Sequence, residues 1–146
     1  MKKKIIWIAI IAIILGGGAL YAYAEYNRKV KDLSGVRAHV KLNAAALITA
    51  FETNEADANT RYLDKVIAVN GKVKTIEKDE KGFYSVVLGD TGSMSSVRCS
   101  MDSLHQQAAA NLTAGVFVTV KGSCTGFNAD DLLGSDVILN RCVVEE

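Results

Sequence analysis

The hydrophobic pattern opens with a run of 20 residues, Ile5 to Ala24, that contains no charged side chain. Three basic residues, Lys2 to Lys4, come directly before it. About 20 apolar residues form a helix long enough to cross the ~30 Å bilayer core, and flanking lysines stay in the cytoplasm. The pattern predicts a single-pass anchor in the inner (cytoplasmic) membrane. The lipid bilayer would contact Ile5–Ala24, and the C-terminal domain would be periplasmic.

The same segment also fits a signal peptide. Ala22-Tyr23-Ala24 matches the small-residue pattern of a signal-peptidase site after an apolar stretch. Cleavage after Ala24 would release the domain into the periplasm. Tyr21 and Tyr23 at one end, with Trp7 at the other, instead suit the aromatic belts of a retained anchor. We favour the anchor, and either alternative predicts an exported domain.

Polar and apolar positions divide the rest of the chain into a connector and one domain. Residues 25–41 are mixed and charged and predict a juxtamembrane connector. Leu42–Phe51 has a helical spacing of apolar residues with Asn43 as a suitable N-cap, and 56–62 adds a further turn or two. We therefore predict an anchor over 1–24, a connector over 25–41 and a domain over 42–146.

From Lys65 onward the apolar period changes to two, which is typical of strands. A helix is predicted at 102–112, between the third and fourth strands. Gly71 lies in the middle of the first strand, where we expect a bulge or a tight bend. This layout predicts a mainly β protein with accessory helices, a five-stranded Greek-key barrel of the OB-fold type. The predicted strands are 66–76, 83–88, 94–101, 116–124 and 137–144.

Charge and chemistry narrow the function. Without Lys2–Lys4, 14 basic residues face 16 acidic ones, a net charge of about −2. A protein that binds nucleic acid through its phosphates is normally basic, so this balance disfavours that class. His39 and His105 stand apart from any nucleophile motif or metal-ligand spacing. We predict a protein that is not an enzyme and has no cofactor or metal.

Several stretches resemble a known family: Phe51–Val73, Val97–Cys99, Val120–Gly126 and Val137–Cys142. They carry an Asn-Glu…Ala-Asn…Tyr-Leu…Lys-Val…Val-x-Gly-x-Val string and three cysteines. Over roughly residues 42–144 the chain resembles the tRNA_anti-like OB-fold family of small exported bacterial proteins, common in Bacteroidetes. The resemblance implies an OB fold and an N-terminal apolar anchor. It carries over no catalytic residue and no demonstrated tRNA binding.

The three cysteines lie in a domain predicted to be exported, where disulfides persist. In an antiparallel hairpin of the last two strands, Cys124 and Cys142 are symmetric about residue 133. We therefore expect a Cys124–Cys142 bridge closing a loop of about 19 residues, worth about 3 kcal/mol in the chain-entropy model. Cys99–Cys142 is the next pairing, and three reduced, buried thiols are the other alternative.

OB barrels bind ligands on the face of their second and third strands and on the adjoining loops. In this chain that surface predicts a candidate binding face of basic and aromatic residues. Two hypotheses follow: an interaction module for an envelope protein partner, or a ligand-binding domain for an oligosaccharide or, less favoured, single-stranded nucleic acid. Exposure of the aromatic rings, Phe117 included, discriminates between them, since a glycan-binding protein needs exposed rings. The candidates are Lys72, Lys74, Phe83, Tyr84, Arg98 and Phe127.

Overall fold

The computed structural model describes residues 2–27, 32–130 and 132–145, and it divides the chain into two compact units. The first unit spans residues 1–31 and contains helix α1 (Lys2–Tyr26). At ~1.5 Å per residue α1 is roughly 37 Å long, and it continues through Gly16–Gly18. No helix within the described ranges meets both the length and the hydropathy of a membrane span. The predicted anchor therefore stays a prediction from the sequence.

The second unit, residues 32–146, contains every strand that the period-two pattern predicted. It also contains one strand, β1, that the pattern missed, because β1 is four residues long and lies across the boundary between the charged connector and the predicted helix Leu42–Phe51. The helix predicted at 102–112 is shorter and begins later, with His105 at its N-cap position. The elements are β1 (Val40–Asn43), α2 (Ala44–Thr53), α3 (Glu55–Tyr62), β2 (Val66–Lys78), β3 (Tyr84–Leu88), β4 (Ser96–Met101), α4 (Gln106–Ala110), β5 (Phe117–Asn128) and β6 (Asp136–Glu145).

The strands close into a five-stranded barrel in the order β2, β3, β4, β6, β5 and back to β2. β4 and β6 are parallel, and the other barrel pairs are antiparallel. β1 adds a short parallel pairing to the first half of β2. This arrangement, with α4 between the third and fourth barrel strands, confirms the predicted OB fold.

Closure depends on β2, which changes partners halfway along its length. Gly71 and Lys72 pair with β5, and Val73 pairs with Leu88 of β3. At the change, Lys72 O accepts a hydrogen bond from the Gly89 N–H at 3.0 Å, while the Val73 N–H donates to Val116 O at 2.8 Å. Two adjacent residues of β2 thus connect the strand to β3 on one side and to β5 on the other.

Of the bulge or tight bend predicted at Gly71, the bulge is wrong, and the glycine instead permits close packing. The irregular register lies between Val73 and Thr75. A Cβ on Gly71 would lie 3.0 Å from Ala44 Cβ and 3.2 Å from Leu88 Cβ. The missing side chain therefore lets the first turn of α2 lie directly on the strand.

Helix α2 covers one end of the barrel. The Asn43 side chain accepts a hydrogen bond from the Ala46 N–H at 2.7 Å, which confirms the predicted N-cap. Leu47 and Phe51 are completely buried among the inward side chains of the strands. The predicted apolar face of this helix is therefore the lid of the core.

The predicted Cys124–Cys142 disulfide is wrong: Cys99, Cys124 and Cys142 are buried free thiols. The β5–β6 hairpin is centred on residue 132, since Asn128 pairs with Asp136, and the register irregularity between Cys124 and Gly126 then brings Cys124 opposite Leu139. Cys142 lies opposite Met101 and beside Cys99. Burial raises the pKa of the Cys124 thiol to about 11, and burial followed by the contact with Cys99 raises the pKa of Cys142.

These thiols should not react with alkylating reagents in the folded protein. We expect iodoacetamide at about pH 8 to leave the native chain unmodified, because burial covers all three thiols and the raised pKa values of Cys124 and Cys142 keep those two protonated. Denaturation without reductant should then expose all three thiols to alkylation, as read from intact mass. Labelling of a single thiol under those conditions would show that a disulfide is present.

A glycine pair in β5 tests how tightly the barrel is packed around the cysteines. A Cβ on Gly122 would lie 2.5 Å from Cys142 Sγ and 3.2 Å from Asn140 O, whereas nothing lies within 4 Å of a Cβ on Gly126. We expect Gly122→Ala to lower the free energy of unfolding by about 1–3 kcal/mol through overpacking. Gly126→Ala should change it by less than about 0.5 kcal/mol. Urea denaturation measures both variants, and equal effects would contradict this packing.

Candidate functional site

The predicted binding face does not assemble as a single aromatic surface. Phe127 is half-buried, and its ring stacks on Phe51 at a centroid distance of 5.1 Å and an interplanar angle of 21°. The ring completes the core beneath α2, which weighs against a role in binding. Tyr84 also packs against the core, with Lys78 Nζ 5.1 Å from its ring centroid. Of the predicted aromatic residues only Phe83 is exposed, at 45%.

The basic residues of that face are largely engaged by neighbouring oxygen atoms. Arg98 forms an ion pair with Glu77, and its Nε lies 3.6 Å from Asp136 Oδ2. Lys74 Nζ donates a 2.6 Å hydrogen bond to Ser93 O. Single-stranded nucleic acid needs a positively charged groove alongside aromatic rings. The ion pairs and hydrogen bonds remove most of that positive charge from solvent.

A groove of about 680 Å³ lies elsewhere on the domain. Its walls are the start of α2, the middle of β2 and the loop between β3 and β4, with Phe117 of β5 at its edge. The groove brings in Lys72 of the predicted face but neither Phe83 nor Arg98. We call it the α2 groove. Its polar lining includes Asn43, Thr49, Glu52, Asn70, Lys72 and Ser93.

Local hydrogen bonds fix the shape of the α2 groove. Ser95 Oγ donates to Glu52 Oε1 at 2.6 Å, and the Ser135 N–H donates to Ser95 Oγ at 3.1 Å. The bond from Lys74 to Ser93 holds the same loop from the other side. Gly71 lines the floor, where a side chain would press into α2. The groove is therefore formed before any ligand arrives.

Phe117 is the residue that the sequence-based binding face omitted. Its ring is 69% exposed, and Lys72 is its cross-strand partner. The alternation of Val118 and Val120 toward the core carries the signal, because it puts Phe117 on the outer face of the strand. Two of the four rings whose exposure discriminates between the hypotheses are exposed, Phe83 and Phe117, whereas Tyr84 and Phe127 are half-buried.

A smaller cavity of about 340 Å³ adjoins the α2 groove on the outer face of β2 and β5. Asn70 lines both, and its Nδ2 donates to Thr119 Oγ1 at 3.1 Å. Lys41 and Glu145 lie at the far end, with Nζ and Oε2 3.7 Å apart. We call this second cavity the β1 cavity.

The connector contacts the domain at a different point. Asp32 lies 3.0 Å from His105 Nε2, and Lys121 Nζ donates to Ser34 O at 3.0 Å. The backbone N–H of Ser34, followed by the hydrogen bond from His105, lowers the pKa of Asp32 to about 2. His105 therefore ties the connector to the barrel. Among the residues with described positions, no group of three or more His, Cys, Asp or Glu could hold a metal ion.

Several solved structures align with this chain. A lipoprotein from Klebsiella pneumoniae subsp. pneumoniae with a proposed nucleic acid-binding role aligns with a TM-score of 0.56 at 20% identity, covering 72% of this chain and 91% of that one. A protein assigned as an aspartyl-tRNA synthetase of Leishmania major aligns at 0.43 and 11% identity, over 86% of this chain and 25% of that one. The asparaginyl-tRNA synthetase of Pyrococcus horikoshii aligns at 0.39 and 18% identity, over 59% and 21%. No curated protein matches the chain by sequence.

The family comparison agrees with the barrel described above and with the resemblance in the sequence. The match to the family model extends over residues 1–143, nearly the whole chain. The chain belongs to the tRNA_anti-like family.

Proposed function

We propose that the protein is a non-catalytic binding module, tethered to the inner membrane, that holds its ligand in the α2 groove on the periplasmic side. The observation that carries this proposal is the preformed groove of about 680 Å³ with the exposed Phe117 ring at its edge. Its volume lies in the range of about 300–1,000 Å³ that is typical of ligand pockets.

The tether rests on the sequence of the first unit. The uncharged run Ile5–Ala24 lies inside α1 and follows Lys2–Lys4, the order expected of an anchor with a cytoplasmic N-terminus. Large apolar side chains on α1, among them Ile13 and Leu20, are more than 70% exposed. Contact with lipid would cover them. Cleavage after Ala24, the alternative, would leave the same domain in the periplasm.

The groove suits binding better than reaction. Its carboxylates are engaged locally: Glu52 accepts a hydrogen bond from Ser95, and Asp90 accepts one from the Gly92 N–H at 3.3 Å. Its lining contains neither histidine nor cysteine. Activation of a serine or threonine hydroxyl needs an adjacent general base. This lining supports a role in holding a ligand or partner.

Single-stranded nucleic acid is the second candidate ligand. It is favoured by the OB fold and by the role proposed for the Klebsiella lipoprotein. The engaged cations Arg98 and Lys74 and the acidic groups of the groove weigh against it. An affinity that falls steeply with rising salt would support this candidate.

The tether is tested by fractionation of cells that express the full chain. We expect the protein to resist alkaline carbonate extraction from membranes, and the domain to be digested by protease only after the outer membrane is opened. Replacing Ile11 and Leu15 by arginine should release the protein from the membrane, since each arginine costs about 2.5–3.5 kcal/mol at the centre of a spanning helix. Replacing the same residues by valine is the matched control.

Two results would contradict the tether. One is complete extraction of the unaltered chain by carbonate, and the other is protection of the domain from protease in opened cells. A shortened chain beginning at Glu25 in the periplasmic fraction would instead establish the signal-peptide alternative, and binding in the α2 groove would then be tested on that form.

A further inference from the structure

Building on the proposed function, we infer that the α2 groove and the β1 cavity together bind a linear, neutral oligosaccharide of β-1,4-linked pyranose rings. Nothing in the OB fold requires this position, because OB ligands generally bind over the second and third barrel strands, here β3 and β4. The inference follows from the shape, the ring, the hydrogen-bonding groups and the charge of this surface.

The shape fits a chain of repeating units. The two cavities, of about 680 and 340 Å³, meet at Asn70 and follow the outer face of β2 and β5. Phe117 lies at one end, and Lys41 with Glu145 lies at the other. Both are open grooves bordered by strand residues. An elongated ligand can therefore lie along them, where a compact metabolite would fill only one.

The exposed Phe117 ring fits a sugar with equatorial substituents. Such a pyranose presents its C–H bonds on two flat faces, so one face can cover an aromatic ring while its hydroxyls point sideways. Phe117 is 69% exposed, and its neighbour Val116 is also exposed. Covering the ring with the face of a sugar removes apolar surface from water at about 25 cal/mol per Å².

The polar lining matches hydroxyl groups, which both donate and accept hydrogen bonds. Asn70 uses its amide nitrogen on Thr119 and Val118, which leaves its Oδ1 as an acceptor. Asn43 uses Oδ1 on the Ala46 N–H, which leaves its amide N–H groups as donors. Amides and hydroxyls from three elements thus line one surface, with the carboxylate of Glu52 as a further acceptor.

Charge separates a neutral glycan from a polyanion. The lining of the two cavities carries two lysines, Lys41 and Lys72, against three carboxylates, Glu52, Asp90 and Glu145. Lys41 lies close to Glu145. Phosphate-driven binding needs unpaired cations along the track. With Lys121, which pairs with Glu145 at 3.1 Å, this surface is close to neutral, so it offers a nucleic acid backbone no excess of positive charge and leaves a neutral ligand unaffected.

The test is an NMR titration of the ¹⁵N-labelled full chain with cellotetraose and, separately, chitotetraose. Dodecylphosphocholine micelles are used, since maltoside detergents carry competing sugars. We expect saturable shifts at the amides of Asn70, Lys72 and Phe117. Phe117→Ala should weaken the affinity by about tenfold or more, which corresponds to about 1.4 kcal/mol. Phe117→Tyr should retain the affinity, because it keeps the flat ring.

Phe83→Ala is the matched control, because Phe83 is an exposed ring outside both cavities. It should leave the affinity unchanged, and thermal unfolding should show that each variant stays folded. Sugar binding that is lost in Phe83→Ala but kept in Phe117→Ala would overturn the location.

Absence of saturable shifts with either tetrasaccharide up to about 10 mM, a limit corresponding to less than 3 kcal/mol, would overturn the ligand class. Two further titrations separate that failure from failure of the proposed function. If an octathymidylate or an extended octapeptide shifts the groove amides instead, the binding module stands and only the glycan is excluded. If the groove amides respond to none of the probes, while the tether also fails fractionation, the proposed function is contradicted as well.

Discussion

The constraint on which the domain depends is the sharing of β2 between two strand partners. Its first half pairs with β5 and its second half with β3, and the change falls at Gly71–Val73. Because Gly71 has no side chain, Ala44 and Leu88 approach the strand from both sides. The same contact seats α2 over the barrel and sets the floor of the α2 groove. Barrel closure, the packing of α2 over the core and the shape of the α2 groove therefore all depend on the Gly71–Val73 segment of β2.

The distribution of charge distinguishes the usual ligand face of an OB barrel, on β3 and β4, from the α2 groove. Arg98 is paired with Glu77 and Asp136, so it links three strands and adds little free positive charge. Lys74 is held by Ser93. The cations that would attract phosphate thus stabilise loops, whereas the α2 groove keeps hydroxyl and amide groups on a fixed frame. This is why we assign binding to a surface on β2 and α2.

The sequence predicted the barrel because its strands alternate with period two and α2 carries its own N-cap, Asn43. It could not predict β1, whose four residues become a strand only by pairing with β2. The cysteine pairing failed because the β5–β6 hairpin is centred on residue 132 rather than 133 and a local irregularity shifts Cys124 by one residue more. The stacking of Phe127 on Phe51 is a tertiary contact that the sequence does not show. Phe117 was predictable in principle, since Val118 and Val120 alternate toward the core and leave Phe117 on the outer face.

Residue-resolved amide hydrogen exchange on the full chain tests the closed barrel most directly. The Val73 N–H reports the seam between β2 and β5, and the Gly89 N–H reports the seam between β2 and β3. If β2 holds both partners at once, both amides should exchange only through global unfolding, with equal protection that falls in parallel as urea is added. Fast exchange of either amide under native conditions would show an open sheet, and the shared-strand account would be contradicted.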